Sequence, residues 1–233
     1  MKIAIMQPYF LPYIGYFQLI NAVEKFVVYD NIEYSKKGWI NRNRYLQNNK
    51  DYFFTIPIKK NSDYSHIVDL KISESYKREK ILNRFYNAYQ KAPYFRQTFP
   101  ILEKIISYSS ESLFHYILYS INKICNILEI KTEIIVSSNI DIDHNLKSEK
   151  KIIEICKKLN SKTYLNSSGG IKIYSKEYFK KFNIDLIFLE SLLLRYSQFN
   201  NEKFVPCLSI VDVLMFNSVD TIKLNLNKNL EFK

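Results

Sequence analysis

The chain is 233 residues long, 47% apolar and 15% aromatic, with a formal net charge of +11. No apolar run approaches the ~20 residues that span a bilayer, and three widely spaced cysteines argue against a disulfide framework and suit a reducing cytoplasm. The charge invites a nucleic-acid partner, but arginine, the preferred phosphate fork, stands only at 42, 44, 78, 84, 96 and 195. The balance favours a solvated lysine surface, compatible with an anionic small ligand. Nucleic acid is the less favoured partner, with tRNA kept open.

In chain order, strands are predicted at residues 3–6, 25–29, 52–57, 133–136, 163–165 and 185–189. Their start near residue 2 is expected to leave no room for an export leader. Helical periodicity marks residues 15–23, 78–91, 99–109, 112–128, 146–159, 174–182 and 208–217, with Pro93 and Pro100 as breaks. Alternating strand and helix patterns predict an α/β fold, a Rossmann-like open and mostly parallel sheet. Residues 75–128 read as a helical insertion within one domain, 1–233. Cys125 and Cys156 fall in helical apolar patterns and are expected in the core.

Three polar constellations carry chemistry. The first follows the opening strand: Gln7-Pro8-Tyr9-Phe10-Leu11-Pro12-Tyr13-Ile14-Gly15-Tyr16. Two prolines and a glycine force a defined turn at a strand's carboxyl end, where open parallel sheets bind ligands. The helix that follows offers free N–H groups to an anion, and Gly15 lets backbone approach it. Gln7, Tyr9, Tyr13, Gly15 and Tyr16 are the candidates. The second constellation is Asp30 at the end of the next strand, followed by Lys37, Gly38, Trp39, Asn41, Arg42 and Arg44. Its carboxylate suits a ribose hydroxyl or general-base work. The cations, amides and single indole suit a diphosphate with a stacked ring. The third is the predicted strand end Asn166-Ser167-Ser168-Gly169-Gly170, in which Asn166, Gly169 and Gly170 suit phosphate binding. All four glycines of the chain fall in these turns.

His66, His115 and His144 lack the spacing of a zinc motif, and no metal site is expected. His144, after the 133–136 strand, is the histidine best placed for acid–base work. Walker, nucleophile-elbow and acetyl-CoA pyrophosphate motifs are absent.

The opening strand–turn–helix resembles nucleotidylyltransferases and pantothenate synthetase, whose His-x-Gly-His pair is Tyr13-Ile14-Gly15-Tyr16 here. A phenol is a poor cation near neutral pH, so nucleotide binding is expected more than histidine-driven adenylyl transfer. The whole chain resembles the WbqC-like family. The resemblance rests on Ile5-Met6-Gln7-Pro8-Tyr9-Phe10, Lys37-Gly38-Trp39-Ile40-Asn41-Arg42-Asn43-Arg44, Tyr164-x-Asn166-x-x-Gly169-Gly170 and Leu208-Ser209-Ile210-x-Asp212. It implies a cytoplasmic step of bacterial O-antigen or capsule synthesis. The partners would be a nucleotide-linked amino sugar and an activated amino-acid or acyl donor joined to it as an amide, with Asp30 or His144 as the base. A nucleotidylyltransferase-like enzyme and a non-catalytic nucleotide-sugar or RNA-binding module are the alternatives. The cofactor stays open: ATP and a divalent metal both suit the phosphate chemistry.

Overall fold

A computed structural model describes every residue except 61, 63, 64, 193, 200–202 and 229. The central strand β1 (Lys2–Met6) has Ile3, Ala4 and Ile5 buried, as a strand covered on both faces requires. After helix α1 (Ile14–Asn21), β2 (Lys25–Val28) pairs with it in parallel from Ile3↔Lys25 to Met6↔Val28. Strand β5 (Glu133–Val136) adds outside β2, while β6 (Thr163–Ser167) and β7 (Asp185–Ser191) add on the other side of β1. The sheet order is therefore β5-β2-β1-β6-β7-β8, all parallel except the short edge strand β8 (Leu230–Phe232). This is the Rossmann-like open sheet expected. Strand order reverses between β1 and β6, which places a topological switch point at their carboxyl ends.

Side-chain alternation divides the core. Ile3, Ile5 and Val27 face a layer formed with α5 (Ser148–Lys158) and α6 (Lys176–Lys180), through Ile152, Ile153 and Phe179. Ala4, Phe26 and Val28 face the larger layer, which holds α1, α7 (Ile210–Phe216) and α8 (Val219–Leu226). Helices α2 (Arg78–Tyr89), α3 (Phe95–Ile106) and α4 (Leu113–Ile127) join that same layer between β2 and β5 in the chain. Among the described residues no helix is long and apolar enough to cross a membrane. Cys125 and Cys156 are buried, and Cys207 is exposed.

Three features differ from the sequence expectation. Strand β3 (Arg42–Gln47) forms a hairpin with β4 (Lys50–Thr55) where a polar loop was expected up to residue 44. Its alternation is masked because one inward residue is Asn43 rather than an apolar side chain. Asn48 and Asn49 turn the hairpin with φ of 48° and 61°, as a type I′ turn demands. The chain's end forms α8 and β8, neither of which the pattern announced. Pro100 does not break a helix but lies within α3, which starts four residues earlier than expected. Tertiary packing overrides the local penalty: Thr98 Oγ1 donates to Leu214 O at 2.9 Å, and Leu102, Ile105 and Ile106 are buried.

Pro100 is exposed and cannot donate to the carbonyl four residues back. Pro100→Ala should therefore raise unfolding free energy, by about 1–3 kcal/mol. Urea denaturation measures this, and an unchanged or lower midpoint would show that α3 has already relaxed around the proline.

Candidate functional site

The turn after β1 is held by segments far away in sequence. Tyr16 Oη donates to Gln7 O at 2.9 Å, and Phe10 N donates to Ile40 O at 2.9 Å. Leu11 takes the left-handed region, with φ of 45°. Its carbonyl accepts from Asn43 Nδ2 at 2.9 Å and from Ser209 Oγ at 2.7 Å, while Ile210 N donates to Pro12 O at 2.8 Å. These bonds set the start of α1. Tyr13 is its N-cap residue and supplies no side-chain cap, and no acidic residue stands in the first turn to offset the helix's positive end. A Cβ on Gly15 would run into the Tyr13 ring and lie 2.9 Å from Ser191 Cβ, which explains the glycine by space.

A cavity of about 330 Å³ opens at this helix start. Tyr9, Pro12 and Tyr13 of the turn form one wall with Gly15 and Leu19 of α1. Ser167 and Ser168 at the end of β6, with Leu189, Glu190 and Ser191 at the end of β7, form the second. Trp39, Asn43 and Arg44 close the third, and Cys207 the rim. The cavity thus lies beside the switch point, on the α1 face of the sheet.

Its electrostatics are sharply placed. Arg44 Nη1 meets Asp51 Oδ2 at 3.0 Å, and Nη2 donates to Cys207 O at 3.2 Å. Arg44 lines the cavity, while its Nε is enclosed and has no partner among the described residues. Among the described residues Glu190 supplies the cavity's carboxylate, and it is ion-paired with Lys233. Burial pushes the phenols of Tyr9 and Tyr13 above their ordinary value, so both present neutral hydroxyls. Trp39 stacks on Phe53 with centroids 6.0 Å apart, and both rings are exposed, at 38% and 52%. The guanidiniums of Arg42 and Arg44 flank the indole at 5.7 and 5.6 Å.

Of the residues singled out in the sequence, Tyr9, Tyr13, Gly15, Trp39 and Arg44 line the cavity. Gln7 and Tyr16 stand behind it, the latter fully buried with its hydroxyl on Gln7 O. Arg42 donates to Gly38 O and Lys37 O, which folds the loop before β3; Lys37 itself is exposed. Asn41 is buried, donates to Ile56 O and accepts from Tyr34 Oη. Asn166 is buried against Gly170, whose absent Cβ would lie 3.0 Å from Asn166 Cγ; Gly169 is exposed. None of these eight lines the cavity.

Asp30 and His144 are not brought to it either. Asp30 is fully buried at the end of β2 and accepts from Ser137 Oγ (2.7 Å), Ser138 N (2.9 Å) and Ser138 Oγ (2.6 Å). Its carboxylate thereby ties β2 to the turn after β5. Exposed His144 shares a 2.8 Å hydrogen bond with Asn31, and Lys151 Nζ reaches the carbonyls of both at 3.3 Å. Burial holds the Lys151 ammonium below its usual range. Among the described residues no group of three His, Cys, Asp or Glu side chains could hold a metal ion.

Glu190, Ser191 and Cys207 escape sequence reasoning. The predicted strand stops at residue 189, and Cys207 follows an uninformative proline. Asp212 escapes too, inside an apolar helix pattern. It is fully buried, accepts from Tyr89 Oη (2.9 Å), Tyr196 Oη (2.6 Å) and Gln198 Nε2 (3.0 Å), and thereby fastens the segment before α7. Gln198 in turn exchanges two hydrogen bonds with the backbone of Val205. A lone acidic residue amid Ile210, Val211, Val213 and Leu214 was the available signal.

A model of the WbqC-like protein family matches residues 7–224. The chain belongs to that family. Within it, the uncharacterized protein Rv1507c of Mycobacterium tuberculosis (strain ATCC 25618 / H37Rv) is 25% identical over 225 residues, covering 93% of each chain. No solved structure matches this WbqC-like chain.

Burial holds the Asp212 carboxyl above the ordinary aspartate range. The unfolded chain ionises first, so the stability this raised pKa contributes is complete below about pH 3.9. It is lost as pH rises through the folded-state value. Asp212→Asn removes the titration, so wild-type stability relative to the variant should fall as pH rises above that point. Chemical denaturation across a pH series measures the difference; a flat or rising difference contradicts the assignment.

Proposed function

We propose that the switch-point cavity binds a nucleotide-linked amino sugar, and that the protein joins an activated acyl or amino-acid group to the sugar amine. The observation that carries this reading is the meeting, on one cavity, of a helix start without a side-chain cap and the side chain of Arg44. Both are arranged for an anion. The volume, about 330 Å³, lies at the small end for a ligand site and suits the diphosphate–sugar portion. The exposed Trp39–Phe53 pair beside it offers a platform for the base. The protein belongs to the WbqC-like family, and this reading assigns it the cytoplasmic role in surface-polysaccharide synthesis that the resemblance implies.

Glu190 replaces Asp30 and His144 as the proposed base, because it lines the cavity and they do not. The amine nitrogen forms a bond to the acyl carbonyl carbon. The bond from that carbon to the donor's leaving group breaks, the leaving group keeps the electron pair, and Glu190 accepts the amine proton.

Calorimetric titration with nucleoside diphosphates and their amino sugars tests binding. Trp39→Ala should weaken it about fivefold or more, as loss of a base stack predicts. Arg44→Ala should weaken it about tenfold or more, whereas Asp30→Asn should leave it unchanged. Incubation with acyl donors should add one acyl mass to the sugar, and Glu190→Gln should slow that step without weakening sugar binding. Release of pyrophosphate from a nucleoside triphosphate would point instead to nucleotidyl transfer. Salt-sensitive tRNA binding without nucleotide binding would point to an RNA-binding module.

A further inference from the structure

A second cavity, of about 210 Å³, adjoins the first and shares with it the walls formed by Tyr13, Ser191 and Cys207. Its character is different. Leu192, Leu194, Phe204, Leu208 and Val213 supply most of its lining, and among the described residues no charged one lines it. Its polar groups are largely engaged already. Ser191 Oγ donates to Gln18 Oε1 at 2.5 Å, and Tyr196 Oη donates to Asp212. A polar or charged occupant would therefore lose its hydration with little hydrogen bonding in return. An apolar cavity of ~150 Å³ accommodates benzene, so this one has room for an aliphatic or aromatic group of about six carbons.

We infer that this pocket takes the hydrocarbon part of the acyl donor and so selects an uncharged, apolar acyl group. The inference rests on the proposed acyl transfer and names its donor class. Continuity supports the assignment: the two cavities meet at Tyr13, Ser191 and Cys207. A chain seated in the second pocket would thus present its carbonyl at the boundary with the first, on the side of Glu190. Asp212 has a positioning role here, because it holds Tyr196 and, through Gln198, the segment that carries Phe204. Phe204 packs edge-on to Tyr196, with centroids 5.1 Å apart.

The test uses the full-length protein and a series of straight-chain primary amides, from propanamide to octanamide, titrated by protein NMR. Uridine diphosphate is titrated in parallel. Affinity should rise about fourfold per methylene and level off near about six carbons, where the pocket is full. Leu194→Trp, which fills the pocket, should flatten the series and leave uridine diphosphate affinity unchanged. Phe204→Ala, which enlarges it, should move the plateau to longer chains. These two variants guard against misreading a folding defect in either one. Affinity independent of chain length, or a plateau moved by neither substitution, would overturn the inference. Failure of uridine diphosphate to bind while the amide series behaves as described would count against the nucleotide reading alone.

Discussion

The carbonyls of Leu11 and Pro12 are the point on which the site depends. Left-handed backbone at a branched apolar residue costs roughly 1–2 kcal/mol, and Leu11 accepts that conformation at φ 45°. An enclosed carbonyl without a partner would add a similar penalty. Asn43 and Ser209 both donate to Leu11 O, and Ile210 N donates to Pro12 O. Two segments distant in sequence, the strand after the Trp39 loop and the start of α7, are thus bound to the turn that launches α1. Loosening this junction would shift the helix start, Arg44 and the Cys207 rim together.

The two sides of β1 are finished differently, and that contrast locates the site. At the ends of β2 and β5 the protein satisfies itself. Asp30 is occupied by Ser137 and Ser138, Asn31 by His144, and Lys151 by two backbone carbonyls. At the ends of β6 and β7 it leaves a helix start without a side-chain cap and an open volume bordered by Arg44. Buried polar groups normally find partners within the chain. Where a helix start and a guanidinium instead border an open volume, an anionic ligand is the natural complement.

Much of the fold was legible in the sequence because apolar periodicity is a local signal. Strand β5 was delimited to the residue, and the parallel sheet followed from alternation. Strand β3 was not, because an inward Asn43 breaks the apolar alternation in order to serve a carbonyl thirty-two residues away. The proline within α3 misled for the opposite reason: its local penalty is real, but buried side chains on either side outweigh it. The site was half legible. Proline, glycine and tryptophan pointed to Tyr9, Tyr13, Gly15, Trp39 and Arg44, all on the cavity. Asp30 and Asn166 looked equally chemical, yet their groups are spent on structure. Glu190 and Cys207 carry no local mark, and only the sheet order and the path of the segment before α7 bring them in.

Mapping backbone amide chemical shifts as uridine diphosphate is added tests the central claim most directly, since it asks which end of the sheet receives the ligand. The account predicts the largest changes at Tyr13, Gly15, Arg44, Ser167 and Ser168, with Asp30, Ser138 and Lys151 little affected. Changes centred on Asn31, His144 and Lys151, with the start of α1 undisturbed, would contradict it.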